Sequence, residues 1–135
     1  MKVLDTSVLI DIDQNTSPSS LDVLNQEDRL LVSSISAFEF WWGICNYFQG
    51  NYFVPEEKEL GFYDFFSAFE VIPVTFEISK IAASFSVQLK VEGNPIDLHD
   101  YYIAATAKLF NTPLVTKNIK HFNRLKEINT IEWPL

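Results

Sequence analysis

Met1-Lys-Val-Leu-Asp-Thr-Ser-Val-Leu-Ile10 is the stretch on which the fold turns. Val3 and Leu4 are adjacent apolar residues with no polar alternation, as in a short strand covered on both faces of a parallel sheet. Asp5 ends the run, and Thr6 and Ser7 suit the first turn of a helix. A carboxylate at that junction lies just outside the carboxyl end of a strand, where open α/β sheets build their sites. Bringing one charge to such a rim is unfavourable unless something positive meets it.

Outward from there, Thr6 to Asp13 is expected as a short helix, Gln14 to Ser20 as a loop, and about Ser19 to Gln26 as a second helix. Leu30-Leu31-Val32 repeats the two-sided strand signal. Ile35 to Phe48 has helical spacing, with Ile35, Phe38, Trp42 and Cys45 as its apolar stripe and Cys45 as a small core residue. Glu39 falls in that stripe, either at its margin as an ordinary solvated acid or facing inward. Glu56 to Phe69 is a further helix anchored by Leu60, Tyr63, Phe66 and Phe69, its early glutamates suiting the positive end of the helix dipole. Val71-Ile72 is a short edge strand, and Phe76 to Val91 a helix with Ile78, Ile81, Ala82, Phe85 and Leu89 inward. Gly93-Asn94-Pro95 stops it. Pro113 to Thr116 is the last clear strand, with a possible edge strand at Thr130-Ile131. Strands alternating with helical crossovers predict a single domain, residues 1–135, built as a three-layer α/β/α sandwich on a mostly parallel sheet of four to five strands.

The second informative stretch is Pro95-Ile-Asp-Leu-His-Asp-Tyr-Tyr-Ile-Ala-Ala-Thr-Ala107. Asp97 and Asp100, three apart, share one side of a helical first turn. Asp97 alone is an ordinary N-cap. Asp100 heads the stripe Asp100, Ile103, Ala104, Ala107 and is expected to point inward, whereas His99 falls off this face and reads as a surface residue.

Asp5, Glu39 and Asp100 thus come from three separated elements that can reach one sheet edge. Oxygen-only ligand sets select hard ions such as Mg²⁺ or Mn²⁺. Carboxylates brought together repel, raising the pKa of at least one, and a divalent ion removes that penalty. Such a site suits phosphodiester hydrolysis by an activated water. Thr6, Ser7 and Thr116 can hold metal-bound waters, and Asn118 can do the same or contact the ion through its carbonyl.

The composition sets limits. With 135 residues, 12 phenylalanines and 3 tryptophans, the chain can bury a real core. One cysteine forms no intrachain disulfide, which favours a reducing compartment. Nothing resembles a signal peptide, and no stretch approaches the ~20 apolar residues of a membrane helix, so a cytoplasmic protein is expected. The net charge of −8 argues against nucleic-acid binding through a basic surface and leaves two options: a neutral or basic partner, or an acidic pocket neutralised by metal.

Four pieces carry a family resemblance: residues Val3 to Asp11, Ser34 to Gly43, Gly93 to Ala107 and Leu114 to Phe122. In order and spacing the chain resembles a PIN domain of the VapC type, the toxin ribonucleases of prokaryotic toxin–antitoxin pairs. The resemblance implies Asp5, Glu39 and Asp100 as catalytic metal ligands, with Asp97 as a weaker adjacent acid. It also implies an RNA substrate, a homodimer and a cognate antitoxin. The family's last site position often holds aspartate; Asn118 here leaves one-metal chemistry open. One rival is a haloacid-dehalogenase-type phosphatase, suggested by Asp11-Ile-Asp13, although Asp11 falls inside a predicted helix. The other is a PIN-like protein-binding module with a degenerate metal site.

Overall fold

A computed structural model describes residues 1–15, 22, 24–26, 29–48 and 54–134. Five strands, β1 (Lys2–Leu4), β2 (Leu30–Ser33), β3 (Glu70–Ile72), β4 (Leu114–Thr116) and β5 (Thr130–Glu132), form one sheet in the order β3-β2-β1-β4-β5. Every pairing is parallel, so the sheet is more regular than the mostly parallel one expected. Between the strands run helices α1 (Thr6–Asn15), α2 (Ser34–Tyr47), α3 (Glu56–Phe66), α4 (Phe76–Val91), α5 (Leu98–Leu109) and the short α6 (Ile119–Phe122). Most of the helix expected about residues 19–26 lies outside the described residues, although Asp22, Leu24 and Asn25 are helical; of the loop expected over Gln14 to Ser20, Gln14 and Asn15 extend α1 and the rest lies outside them.

The pleat sorts the core into two layers. Val3, Leu31 and Leu114 point to one face, against Ile78, Ala82, Phe85 and Leu89 of α4 and Ile103, Ala104 and Ala107 of α5. Leu4, Val32 and Val115 point to the other, against Val8 and Leu9 of α1 and Phe40 of α2. This is the predicted α/β/α sandwich, with β1 at its centre. Leu4 pairs with Val32 on one side and Val115 on the other, so the chain leaves β1 between the ends of β2 and β4. The α4 helix ends as its sequence predicts. Gly93 takes φ 71°, and the Gly93 and Asn94 amides return to the Lys90 and Leu89 carbonyls at 3.1 and 2.9 Å.

Two helix faces differ from expectation. In α2 the buried residues are Ser36 and Phe40, while Phe38 and Trp42 are 56% and 60% exposed and Cys45 is exposed rather than in the core. Phe38, Phe40, Trp41 and Trp42 are all apolar, so hydropathy alone does not phase this helix. Small Ser36 lets it approach α1, and Phe40 packs on Phe62, Phe65 and Phe66 at 5.0–5.5 Å between ring centroids. In α3, which ends at Phe66, Leu60 and Tyr63 are exposed. Phe62, Phe65 and Phe66, with Phe69 beyond, supply the inward contacts instead.

A carboxylate cluster at the strand ends

Asp5 is buried at the end of β1 and also caps α1. Its carbonyl accepts from Leu9 at 3.1 Å, and its Oδ1 accepts from the Val8 amide at 3.1 Å. Ser7 donates to the same oxygen at 2.5 Å, and Thr116, at the end of β4, donates to Oδ2 at 2.5 Å. Both carboxylate oxygens are therefore held from two strands and a helix N-terminus. Burial nonetheless raises the Asp5 carboxyl above its ordinary range, against the hydrogen bonds from Ser7, Thr116 and Val8.

Glu39 reaches the same end of the sheet from α2. Thr6 donates to its Oε1 at 2.8 Å and shares a 3.0 Å hydrogen bond with Ser36. Asp97 occupies the N-cap position of α5 but makes no capping hydrogen bond, so its carboxylate stays available. Asp100, three residues on, is 19% exposed. Burial pushes its carboxyl up to about 6, with the negative charges of Asp5, Asp97 and Glu39 adding to the effect and His121 opposing it. Glu39, Asp97 and Asp100 line one cleft of about 240 Å³ together with Leu98 and His99.

Thr6, Ser7 and Thr116, expected to hold metal-bound waters, hydrogen-bond to the acids themselves. Asn118 enters through its backbone: its amide donates to Thr116 Oγ1 at 2.8 Å, extending the chain from Asn118 through Thr116 to Asp5. The Asp11 of the rival motif is inside α1, where Trp133 donates to it at 2.7 Å and Lys117 lies 3.4 Å away.

Two participants were missed. His99 Nδ1 lies 3.7 Å from Glu39 Oε2, and His121 Nδ1 lies 3.8 Å from Asp100 Oδ2. His121 Nδ1 is also a buried nitrogen with no hydrogen-bond partner. The available signal for His99 was its place in the open first turn of α5, beside two acids; α6 is too short to give His121 any periodicity. Among the described residues, no three His, Cys, Asp or Glu side chains close on a single point as a finished metal site. Asp5 is instead turned to Ser7, Val8 and Thr116, and Glu39 to Thr6.

The PIN domain family matches residues 2–128. Ribonuclease VapC1 of Methanocaldococcus jannaschii is 40% identical over 125 residues, spanning 93% of this chain and 81% of that protein. Ribonuclease VapC of Rickettsia bellii is 28% identical across 98% of this chain and 96% of that protein. Among solved structures, VapBC-1 from nontypeable Haemophilus influenzae superposes with a TM-score of 0.85 at 24% identity, covering 99% of this chain and 98% of that one, which supports the fold. DNA-bound VapBC from Salmonella typhimurium gives the same TM-score and identity over 98% and 97%. With a strand-end acid cluster on a parallel sheet and a family match over nearly its whole length, the chain belongs to the PIN-domain family and is of the VapC type.

Proposed function

We propose that this protein is a divalent-metal-dependent endoribonuclease, using Mg²⁺ or Mn²⁺, and the toxin component of a toxin–antitoxin pair. The observation that carries this is the gathering of Asp5, Glu39, Asp97 and Asp100 at one sheet edge, close enough that, beyond the effect of burial, the other three acids each add to the raised pKa of the Asp100 carboxyl. The donor set fits a hard cation, because the converging groups are carboxylate oxygens supported by hydroxyls. Asp5, Asp100 and Glu39 would hold the ion, with Asp97 as a weaker neighbour. Rotation of the partly exposed Glu39 and Asp100 side chains toward Asp5 would complete the site.

A bound divalent ion supplies Lewis acidity toward the phosphodiester and an attacking water. The chain's own part is orientation. Ser7 and Thr116 fix both oxygens of Asp5, the Asn118 amide fixes Thr116, and Thr6 fixes Glu39. The solved VapBC structures support a cognate antitoxin, and a homodimer is proposed alongside it. An apolar groove of about 520 Å³ lined by Ile10, Phe40, Ile44 and Phe62 runs to Glu39, so a partner segment lying there would deliver a basic side chain to the acids. No described helix is long and apolar enough to cross a membrane, which accords with the proposed cytoplasmic setting.

The test is cleavage of RNA by purified protein with Mg²⁺ or Mn²⁺, with EDTA, and with Asp5→Asn in place of the wild type. Asp5-dependent cleavage that stops in EDTA supports the proposal; equal cleavage with EDTA refutes it. Absence of Mn²⁺ binding by the wild type would favour a protein-binding module. Mapping RNA ends in cells after induction, beside Asp5→Asn, would identify the substrate.

A further inference from the structure

We infer that the exposed aromatic face of α2 beside Glu39 is where the substrate RNA stacks an unpaired base next to the scissile phosphodiester, with Phe38 as the principal contact. This rests on the ribonuclease proposal and deepens it by naming a substrate-positioning residue outside the acid cluster.

Phe38 and Trp42 lie one helical turn apart, flank Glu39 in the chain, and are each more than half exposed. Neither contributes to either core layer. The Phe38 ring meets the His99 imidazole edge-on, with centroids 6.1 Å apart at 87°. The same imidazole has its Nδ1 3.7 Å from Glu39 Oε2. Leu98, 64% exposed, and His99 line the cleft that holds Glu39, Asp97 and Asp100. An aromatic and apolar wall therefore runs directly into the cleft, built from the two helices that carry Glu39, Asp97 and Asp100. An edge-on contact orients a ring while covering at most one of its faces.

Charge identifies the occupant. Proteins that hold nucleic acid through phosphates do so with lysine and arginine. This chain carries −8, and Lys117, just beyond β4, answers Asp11. With the proposed cation meeting the scissile phosphodiester itself, further attraction at this acidic rim has to come from a neutral part of the substrate. The base is that part, since every base presents a π face to an aromatic side chain once it is unstacked from its neighbours. A paired duplex keeps those faces covered.

The test is fluorescence anisotropy of a labelled single-stranded RNA pool with Asp5→Asn protein in Mg²⁺, which prevents cleavage. Adding Phe38→Ala is expected to weaken binding roughly 5- to 150-fold, while Phe38→Tyr retains it. A fully paired duplex is expected to bind more weakly and to ignore both changes. In the cleaving protein, Phe38→Ala is expected to raise KM more than it lowers kcat. Equal affinity with and without Phe38→Ala overturns the inference, as does an absence of RNA binding by the Asp5→Asn protein. A Phe38→Ala change in sedimentation mass without loss of RNA affinity also overturns it and marks the face as a contact between copies of the chain. If the wild type fails to cleave while Phe38→Ala still weakens RNA binding, the stacking surface stands and the nuclease proposal falls.

Discussion

Replacing Asp100 by asparagine should make the metal-free protein more stable while disabling it. The Asp100 carboxyl ionises near 6 rather than at its ordinary 3.8, so at neutral pH the folded state holds a charge it disfavours. At about 1.4 kcal/mol per pH unit, the penalty is at most about 3 kcal/mol. Screening at this partly open rim leaves roughly 1–2 kcal/mol. Asparagine keeps the shape and removes the charge, so the metal-free melting temperature should rise by roughly 3–10 °C. The sign can be followed with pH. Because the folded pKa is the higher one, the native state retains a proton that the unfolded chain has lost, and wild-type stability falls as pH rises from 3.8 towards about 6. The gap between variant and wild type should therefore open across that window and stay constant above it. Saturating Mg²⁺ should raise the wild type's melting temperature and do much less for the variant, narrowing or reversing the order. Scanning calorimetry in chelator and in Mg²⁺, between acid and neutral pH, reads all of this. A metal-free Asp100→Asn protein that melts at or below the wild type at neutral pH would refute the argument that this half-buried rim disfavours the Asp100 charge.

Thr116→Val removes the donor to Asp5 and the acceptor for the Asn118 amide in a buried site. It should lower stability by about 1–3 kcal/mol in urea unfolding and cleavage roughly 10- to 100-fold. Asp5→Asn should lower cleavage further than that and keep a native circular dichroism spectrum, because its carbonyl still accepts from Ser7 and Val8. Phe85→Ala, on the inward face of α4 and 2% exposed, should lower stability by about 3–5 kcal/mol in urea unfolding without altering Mn²⁺ affinity.

The strands were legible because covering both faces leaves a plain record: Val3-Leu4, Leu30-Leu31-Val32 and Leu114-Val115 are apolar without alternation. The α4 and α5 faces were legible for the opposite reason, since polar residues interrupt the apolar ones at helical spacing. In α2 the run Phe38, Phe40, Trp41 and Trp42 puts large apolar residues on several sides. Its inward side is chosen by shape, by Ser36 admitting α1 and by Phe40 filling the space beside Phe62, Phe65 and Phe66. The same mis-phasing concealed the exposed aromatic face, since Phe38 and Trp42 read as core. For the site, the acids stand out in sequence because charge at an apolar junction demands a reason. The two histidines do not, because their placement depends on how α5 and α6 are docked.

The four acids are not equivalent, and the difference follows from what surrounds each. Asp5 is fixed at the centre by four constraints: a helix N-terminus, Ser7, Thr116 and the sheet itself. The donors around it offset part of the cost of burying its charge, and the same hydrogen bonds leave it the least able to move. Glu39 and Asp100 are partly open and meet only a threonine hydroxyl or a histidine nitrogen beyond hydrogen-bond range. A site in which every acid were held as tightly as Asp5 would be more stable and less able to close on an ion. One in which none were held would leave an entering ion without a fixed point. The proposed chemistry therefore asks for one rigid carboxylate and two adjustable ones, and the burial and neighbouring acids that raise the Asp100 pKa make that group responsive to a cation.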